Sequence, residues 1–127
     1  MTVNTSHPLY TSMAEIVAAT YGPVPVLRDL LGSISTIESA FIYGSWAARR
    51  AGRAGPLPRD VDLMVIGDIS VDDLVEVQSA ARSRLGLPVN VHRTTAEAWA
   101  EPGRDPFLGQ VAASPTVVLI GKAPAYA

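Results

Sequence analysis

The stretch Tyr43–Gly67, YGSWAARRAGRAGPLPRDVDLMVIG, decides the fold of this 127-residue chain. It begins with Gly44-Ser45 at the end of one apolar run, and Asp60 and Asp62 open a second apolar run. Alternate residues of a strand share one face, so both carboxylates lie on the same side of the second run, with Cα atoms about 7 Å apart. Two carboxylates on a mainly apolar strand are unfavourable unless they are neutralised. A divalent cation such as Mg²⁺, which binds carboxylates and phosphate oxygens, would neutralise them.

The two aspartates also have a purely structural interpretation, in which Asp60 is a turn or cap residue and Asp62 lies on a solvated sheet face. The Gly44-Ser45 turn favours a binding site instead, because glycine permits close backbone approach and the following helix begins with free N–H groups that suit phosphate. An isolated Gly-Ser turn is a weak signal. Here a short helix and a loop join it to an Asp-x-Asp pair on the next strand, which is much more specific.

The segments around this stretch predict a small mixed sheet. Strands are predicted over residues 37–43, 60–67, 87–93 and 115–121, and helices over 11–22, 24–34, 46–52, 70–86, 94–101 and 105–114. We therefore expect an α/β (α+β) fold with about four strands and with helices packed mainly on one face. The length predicts a single domain over residues 1–127, with a loose arm at 1–10 and a tail at 122–127.

Bulk composition limits the classes of function. Hydrophobic residues make up 48% of the chain and the net charge is −2, so a folded core is expected and direct DNA binding is not. The chain has no cysteine, which excludes disulfides, thiol catalysis and cysteine-zinc sites. The polar N-terminus and the lack of an 18-residue apolar run predict a cytoplasmic protein that does not bind membranes.

With these motifs in place, the chain resembles the minimal nucleotidyltransferase domain of the DNA polymerase beta superfamily. The resemblance is to Gly44-Ser45 after a hydrophobic strand and to Asp60-x-Asp62 on the next one. The fourteen residues between Ser45 and Asp60 exceed the usual spacer, and the extra length falls in a Gly/Pro loop, where insertions are tolerated. The sequence is especially similar to the nucleotidyltransferase-like domains found with bacterial winged-helix regulators. This resemblance covers nearly the whole chain.

The resemblance implies a role for each matching residue. Gly44 and Ser45 would contact the phosphates of the nucleotide, and Asp60 and Asp62 would be the catalytic carboxylates that ligate Mg²⁺ or Mn²⁺. Four arginines cluster around the loop and could hold a triphosphate or an acidic partner, or could form a solvated basic face; they are Arg49, Arg50, Arg53 and Arg59. Among them Arg49 is the predicted nucleotide-binding residue. Trp46 could stack on a base, although packing against the sheet is the commoner role of such a tryptophan.

One position departs from the family pattern. Active members carry a third carboxylate on a neighbouring strand, and the matching residue here is Asn90. An amide cannot act as a base and is a poor ligand for Mg²⁺. Asp68, Glu97 or His92 could compensate if the fold brought one of them near, although each is more simply an ordinary surface residue.

Two functions stay open from the sequence. The first is a Mg-dependent nucleotidyltransferase that transfers AMP from ATP or another nucleoside triphosphate to a protein or other hydroxyl acceptor, with a HEPN-type toxin as the partner that the resemblance implies. The second is a weak or inactive nucleotide-binding regulatory module, which Asn90 favours. A homo-oligomer is compatible with both, since the apolar face of the first two helices could be core or a dimer contact.

Overall fold

A computed structural model describes residues 22–121 of the chain. The predicted arm at 1–10, the predicted helix that begins at Thr11 and the predicted tail at 122–127 lie outside the described residues. The described part contains helices α1 (Pro23–Gly32), α2 (Gly44–Arg50), α3 (Val71–Leu85), α4 (Ala96–Ala100) and α5 (Pro106–Ala112), strands β1 (Ile37–Tyr43), β2 (Val61–Gly67), β3 (Val89–Thr94) and β4 (Val117–Ile120), and a 3₁₀ turn (Pro102–Arg104). These elements follow the predicted order.

The four strands form one mixed sheet in the order β3-β2-β1-β4. β1 pairs antiparallel with β2 and with β4, whereas β2 and β3 run parallel and α3 connects them. A parallel pair requires a crossover of this kind, because a hairpin turn cannot return the chain to the same end of the sheet. The predicted mixed sheet of about four strands is confirmed.

The larger part of the core lies on the face of the sheet that α1, α2 and α3 cover. Apolar residues of these helices pack there against the alternate residues of β1 and β2 that point toward them; the buried set includes Leu27, Leu31, Trp46, Ala47, Val77 and Ala81 from the helices and Ala40, Ile42, Val61, Leu63 and Val65 from the strands. The ends of α3 are as predicted. Ser70 accepts a hydrogen bond from the Asp73 amide at the start, and Gly86 takes a left-handed conformation at the end.

A smaller cluster covers the other face of the sheet. It contains Phe41, Tyr43, Met64, Ile66, Leu108 and Val111, with Ala96 and Trp99 packed against it. Among the helices of residues 22–121, two short ones, α4 and α5, contribute to this cluster, so the prediction that helices pack mainly on one face is confirmed. No helix within residues 22–121 is long and apolar enough to cross a membrane.

Candidate nucleotide and metal site

The candidate site lies on the face of the smaller cluster, at the end of the sheet where β2 begins. Asn90, Asp62 and Tyr43 are paired in register across β3, β2 and β1, so they form one row on this face. Asp60 lies two residues before Asp62, just outside the strand. The two carboxylates lie on a common side, as predicted, because the Asn90 amide contacts both, although the strand begins at Val61 and not at Asp60 as expected.

The two carboxylates share one hydrogen-bond donor. The Nδ2 of Asn90 donates to the Oδ2 of Asp60 at 2.9 Å and to the Oδ1 of Asp62 at 3.2 Å. Asn90 is exposed and both aspartates are partly buried. Asn90, which the resemblance places at the position of the third carboxylate, therefore contacts both acids and donates charge-assisted hydrogen bonds to them without changing their charge.

Gly44 lies directly against Asp62. Its φ is +74°, a left-handed conformation that favours glycine, and a Cβ built there would collide with the Asp62 carboxylate. Position 44 therefore requires glycine both for its backbone and for the space that the carboxylate occupies. Ser45 follows with an exposed side chain, so its hydroxyl is accessible beside the acid pair.

No third acid from the described residues 22–121 joins the pair. Within residues 22–121, no group of three or more His, Cys, Asp or Glu side chains could hold a metal ion. Asp68 follows the opposite end of β2, six residues from Asp62, which is about 20 Å along a strand. His92 instead contacts aromatic rings: its centroid is 6.3 Å from that of Tyr43 and 5.3 Å from that of Phe107.

An aromatic cluster beside the acids was not expected from the sequence. Tyr43 also contacts Phe107 at 6.0 Å between centroids, and Phe107 is 41% exposed. Burial raises the pKa of the Tyr43 phenol far above its usual value, and the neighbouring charge of Asp62 adds to the rise. The Tyr43 phenol is therefore uncharged near neutral pH where it lies beside Asp62. The alternation in β1 that places Phe41 and Tyr43 on one side was the available signal.

The structure separates the roles of the residues after Ser45. Trp46 is 2% exposed in the core beneath the sheet, so it packs there and does not present a face for a base. Arg50 is exposed, and its guanidinium carbon lies 5.6 Å from the centroid of the Trp46 ring. Arg53 and Arg59 are exposed. Arg49 donates to backbone carbonyls of the loop that follows α2, and its predicted contact with a nucleotide stays a prediction.

The donor set suits one hard divalent cation that also binds a phosphate. Mg²⁺ commonly takes one or two carboxylates from a protein and completes its shell with water and substrate phosphate. Asp60 and Asp62 would supply those carboxylates, since the amide that both contact already brings their oxygens together. A rotation of the Asn90 amide by about 180° would turn its carbonyl oxygen, in place of its NH₂ group, toward the two carboxylates and the cation. Within residues 22–121 no third His, Cys, Asp or Glu side chain joins this pair, so these residues offer no ligand set for a second cation.

Comparison with known proteins gives structural neighbours only. No protein-family model matches the chain, and no curated protein matches it. A chain from the complex of a tri-AMPylated HEPN toxin with an MNT antitoxin from Shewanella oneidensis aligns with a TM-score of 0.49 and 16% identity, over 84% of this chain and 73% of that chain. A candidate nucleotidyltransferase from Sulfolobus solfataricus aligns with a TM-score of 0.47 and 13% identity, over 82% of this chain and 85% of that chain.

Proposed function

We propose that this chain binds a nucleoside triphosphate together with one divalent cation, and that it works as a nucleotide-binding regulatory module with weak nucleotidyl transfer. The observation that supports this proposal is the Asn90 amide, which contacts both Asp60 and Asp62. The pair is suited to hold a cation, and the third position offers no proton acceptor.

Binding is supported by the residues that surround Asp62. Gly44 has no side chain at the point where the Asp62 carboxylate lies, and the next residue, Ser45, is exposed. The Ser45 hydroxyl would donate a hydrogen bond to a phosphate oxygen. Asp60 and Asp62 would hold the cation, which would neutralise part of the negative charge of the triphosphate when bound.

Weak turnover follows from the chemistry of Asn90. Transfer of AMP requires that an acceptor hydroxyl attack the α-phosphorus while pyrophosphate leaves, and a carboxylate at the third position would accept the hydroxyl proton. An amide nitrogen or oxygen does not accept that proton near neutral pH. General base catalysis typically contributes about 10²–10⁴-fold to a rate, so the missing base leaves binding and positioning with slow chemistry.

An active nucleotidyltransferase is the second candidate, and it is supported by the contact between Gly44 and Asp62 and by the amide that brings Asp60 and Asp62 together. The cation would be Mg²⁺ or Mn²⁺ and the donor ATP. The acceptor would be a hydroxyl on a protein, for which a HEPN-type toxin is the first partner to test. The chain would then act as an antitoxin that modifies its toxin.

Titration calorimetry and a transfer assay separate these functions. ATP is titrated with Mg²⁺ or Mn²⁺ into the wild type and into Asp62→Asn, with Asp68→Asn as the control that removes an acid at the other end of β2. We expect binding by the wild type and by Asp68→Asn, and none by Asp62→Asn. Absence of ATP and cation binding in the wild type would refute both functions.

The transfer assay uses ATP labelled at the α-phosphate and a purified HEPN-type toxin. We expect trace transfer by the wild type and roughly 10²-fold more by Asn90→Asp, which restores an acid at the third position. Rapid transfer by the wild type that Asp62→Asn abolishes would establish the enzyme in place of the module. Binding that persists in Asp62→Asn would show that the nucleotide lies elsewhere.

A further inference from the structure

The loop that leads to Asp60 is folded around one side chain. The Nε of Arg49 donates to the carbonyl of Pro56 at 3.1 Å, and its Nη1 donates to the carbonyls of Arg53 at 3.1 Å and Ala54 at 2.9 Å. Three carbonyls of one short loop therefore converge on one guanidinium. A planar guanidinium with five fixed donors can satisfy several acceptors at once, which a flexible ammonium cannot do with the same geometry.

Gly55 completes the fit of the loop around Arg49. A Cβ built at Gly55 would overlap the guanidinium group of Arg49. The loop therefore approaches the charged group at a distance that only glycine permits. A methyl group at position 55 would push the guanidinium away from its three carbonyls while leaving its charge in place.

A second anchor holds the chain on the other side of Asp60. The amide of Val61, the residue after Asp60, donates to the carbonyl of Pro88 at 3.0 Å. Only residues 57–59 separate Asp60 from Pro56, the last carbonyl that Arg49 holds. Asp60 therefore lies in a short segment held at both ends, by Arg49 at Pro56 and by the backbone of Pro88 at Val61, although Asp60 is not itself part of a strand.

We propose that Arg49 is a positioning residue for Asp60: it orders the loop after α2 and so sets the separation of the two carboxylates that Asn90 joins. The effect of Arg49 on the site is exerted through backbone carbonyls. The part of this inference that concerns cation affinity rests on the proposed function, whereas the placement of Asp60 does not.

The placement of Asp60 can be measured without any ligand. The side-chain NH₂ of Asn90 donates to both carboxylates, so its NMR signals and its exchange with water report the contact with Asp60. Asp60→Ala gives the reference for the lost contact. We compare Arg49→Ala and Gly55→Ala with Arg53→Ala, which removes an exposed guanidinium of the same loop but keeps the carbonyl that Arg49 binds.

We expect the Asn90 signals of Arg49→Ala and Gly55→Ala to move toward those of Asp60→Ala, and the backbone amides of residues 53–55 and 57 to exchange faster. Arg53→Ala should resemble the wild type, and Arg49→Lys should restore the signals only in part. Unchanged Asn90 signals in both Arg49→Ala and Gly55→Ala would overturn the proposal. So would equal effects of Arg53→Ala, because loop charge would then be the cause.

Affinity for Mn²⁺ extends the test to the proposed function. Loss of a group that orients a metal ligand typically weakens metal binding about 10–100-fold, so we expect roughly tenfold weaker Mn²⁺ binding by Arg49→Ala and Gly55→Ala, at unchanged melting temperature. If the wild type does not bind Mn²⁺, the proposed function fails while the Asn90 signals still decide the role of Arg49. If Arg49→Ala loses ATP affinity without any change in the Asn90 signals, Arg49 contacts phosphate directly and the positioning role is wrong.

Discussion

The two faces of β2 differ in how their residues are used. Toward α1 and α3, Val61, Leu63 and Val65 are fully buried, and this face is apolar from end to end. Toward α4 and α5, Met64 and Ile66 are buried, but Asp62, at the start of the strand, is only partly buried. One face of β2 is therefore core along its whole length. The other face is core at Met64 and Ile66 and part of the candidate site at Asp62.

The largest expected effect comes from the apolar face. Leu63→Ala should lower the free energy of unfolding by about 2–5 kcal/mol, because it leaves a cavity in a close-packed core. Urea unfolding followed by circular dichroism measures this change. Val75→Ala, at a side chain that is 55% exposed, is the control and should change stability by less than about 0.5 kcal/mol. If the folded fraction of Leu63→Ala also loses ATP binding, the two faces are not independent.

A smaller effect is expected where the open face meets α2. Gly44→Ala should cost about 1–2 kcal/mol from its left-handed backbone alone, and its methyl group should displace the Asp62 carboxylate. Thermal unfolding measures the first effect and titration with Mn²⁺ the second. Gly103→Ala is the matched control, because nothing lies within 4 Å of a Cβ built there. Normal Mn²⁺ affinity in Gly44→Ala would contradict the contact between Gly44 and Asp62.

The amide that joins the acids should contribute less. Asn90→Ala should destabilise the protein by about 1 kcal/mol in metal-free buffer, since both carboxylates lose their shared donor at an exposed site. Added Mn²⁺ should recover most of that loss by neutralising the same pair. Urea unfolding with and without Mn²⁺ tests both statements, with Gln110→Ala as an exposed amide control. Equal destabilisation in the two buffers would show that the cation does not bind there.

The smallest effect is expected at the exposed ion pair between α1 and α3. The Nη1 of Arg84 lies 2.8 Å from the Oδ2 of Asp29, but the two side chains are 45% and 70% exposed. A double-mutant cycle with Arg84→Ala and Asp29→Ala should give a coupling energy below about 1 kcal/mol that falls with added salt. A coupling well above that value would mean that ion pairing, and not apolar burial alone, holds α1 to α3.

The local signals predicted most of the fold. The bounds of β1 are those expected from its apolar run, and the Ser70 and Gly86 end signals of α3 were correct because caps depend on a few neighbouring residues. The common side of Asp60 and Asp62 also followed from the sequence, since alternation is a local property of a strand. The roles of the predicted site residues in binding and catalysis stay predictions.

Other features had no local signal. The partners of Arg49 are backbone carbonyls, which every residue carries, so no residue type marked them in advance. The ring contacts among Tyr43, His92 and Phe107 join three elements that are far apart in the chain. Such contacts depend on how strands pair and helices dock, which periodicity does not specify.

By itself, the sequence determined the order of the elements and the common side on which both acids lie. Only the tertiary structure decided that Asn90 would bond to both acids and that neither Asp68 nor His92 would replace the missing carboxylate. The physical reason is that alternation and capping act over a few residues, whereas the register between β2 and β3 sets which distant side chains meet.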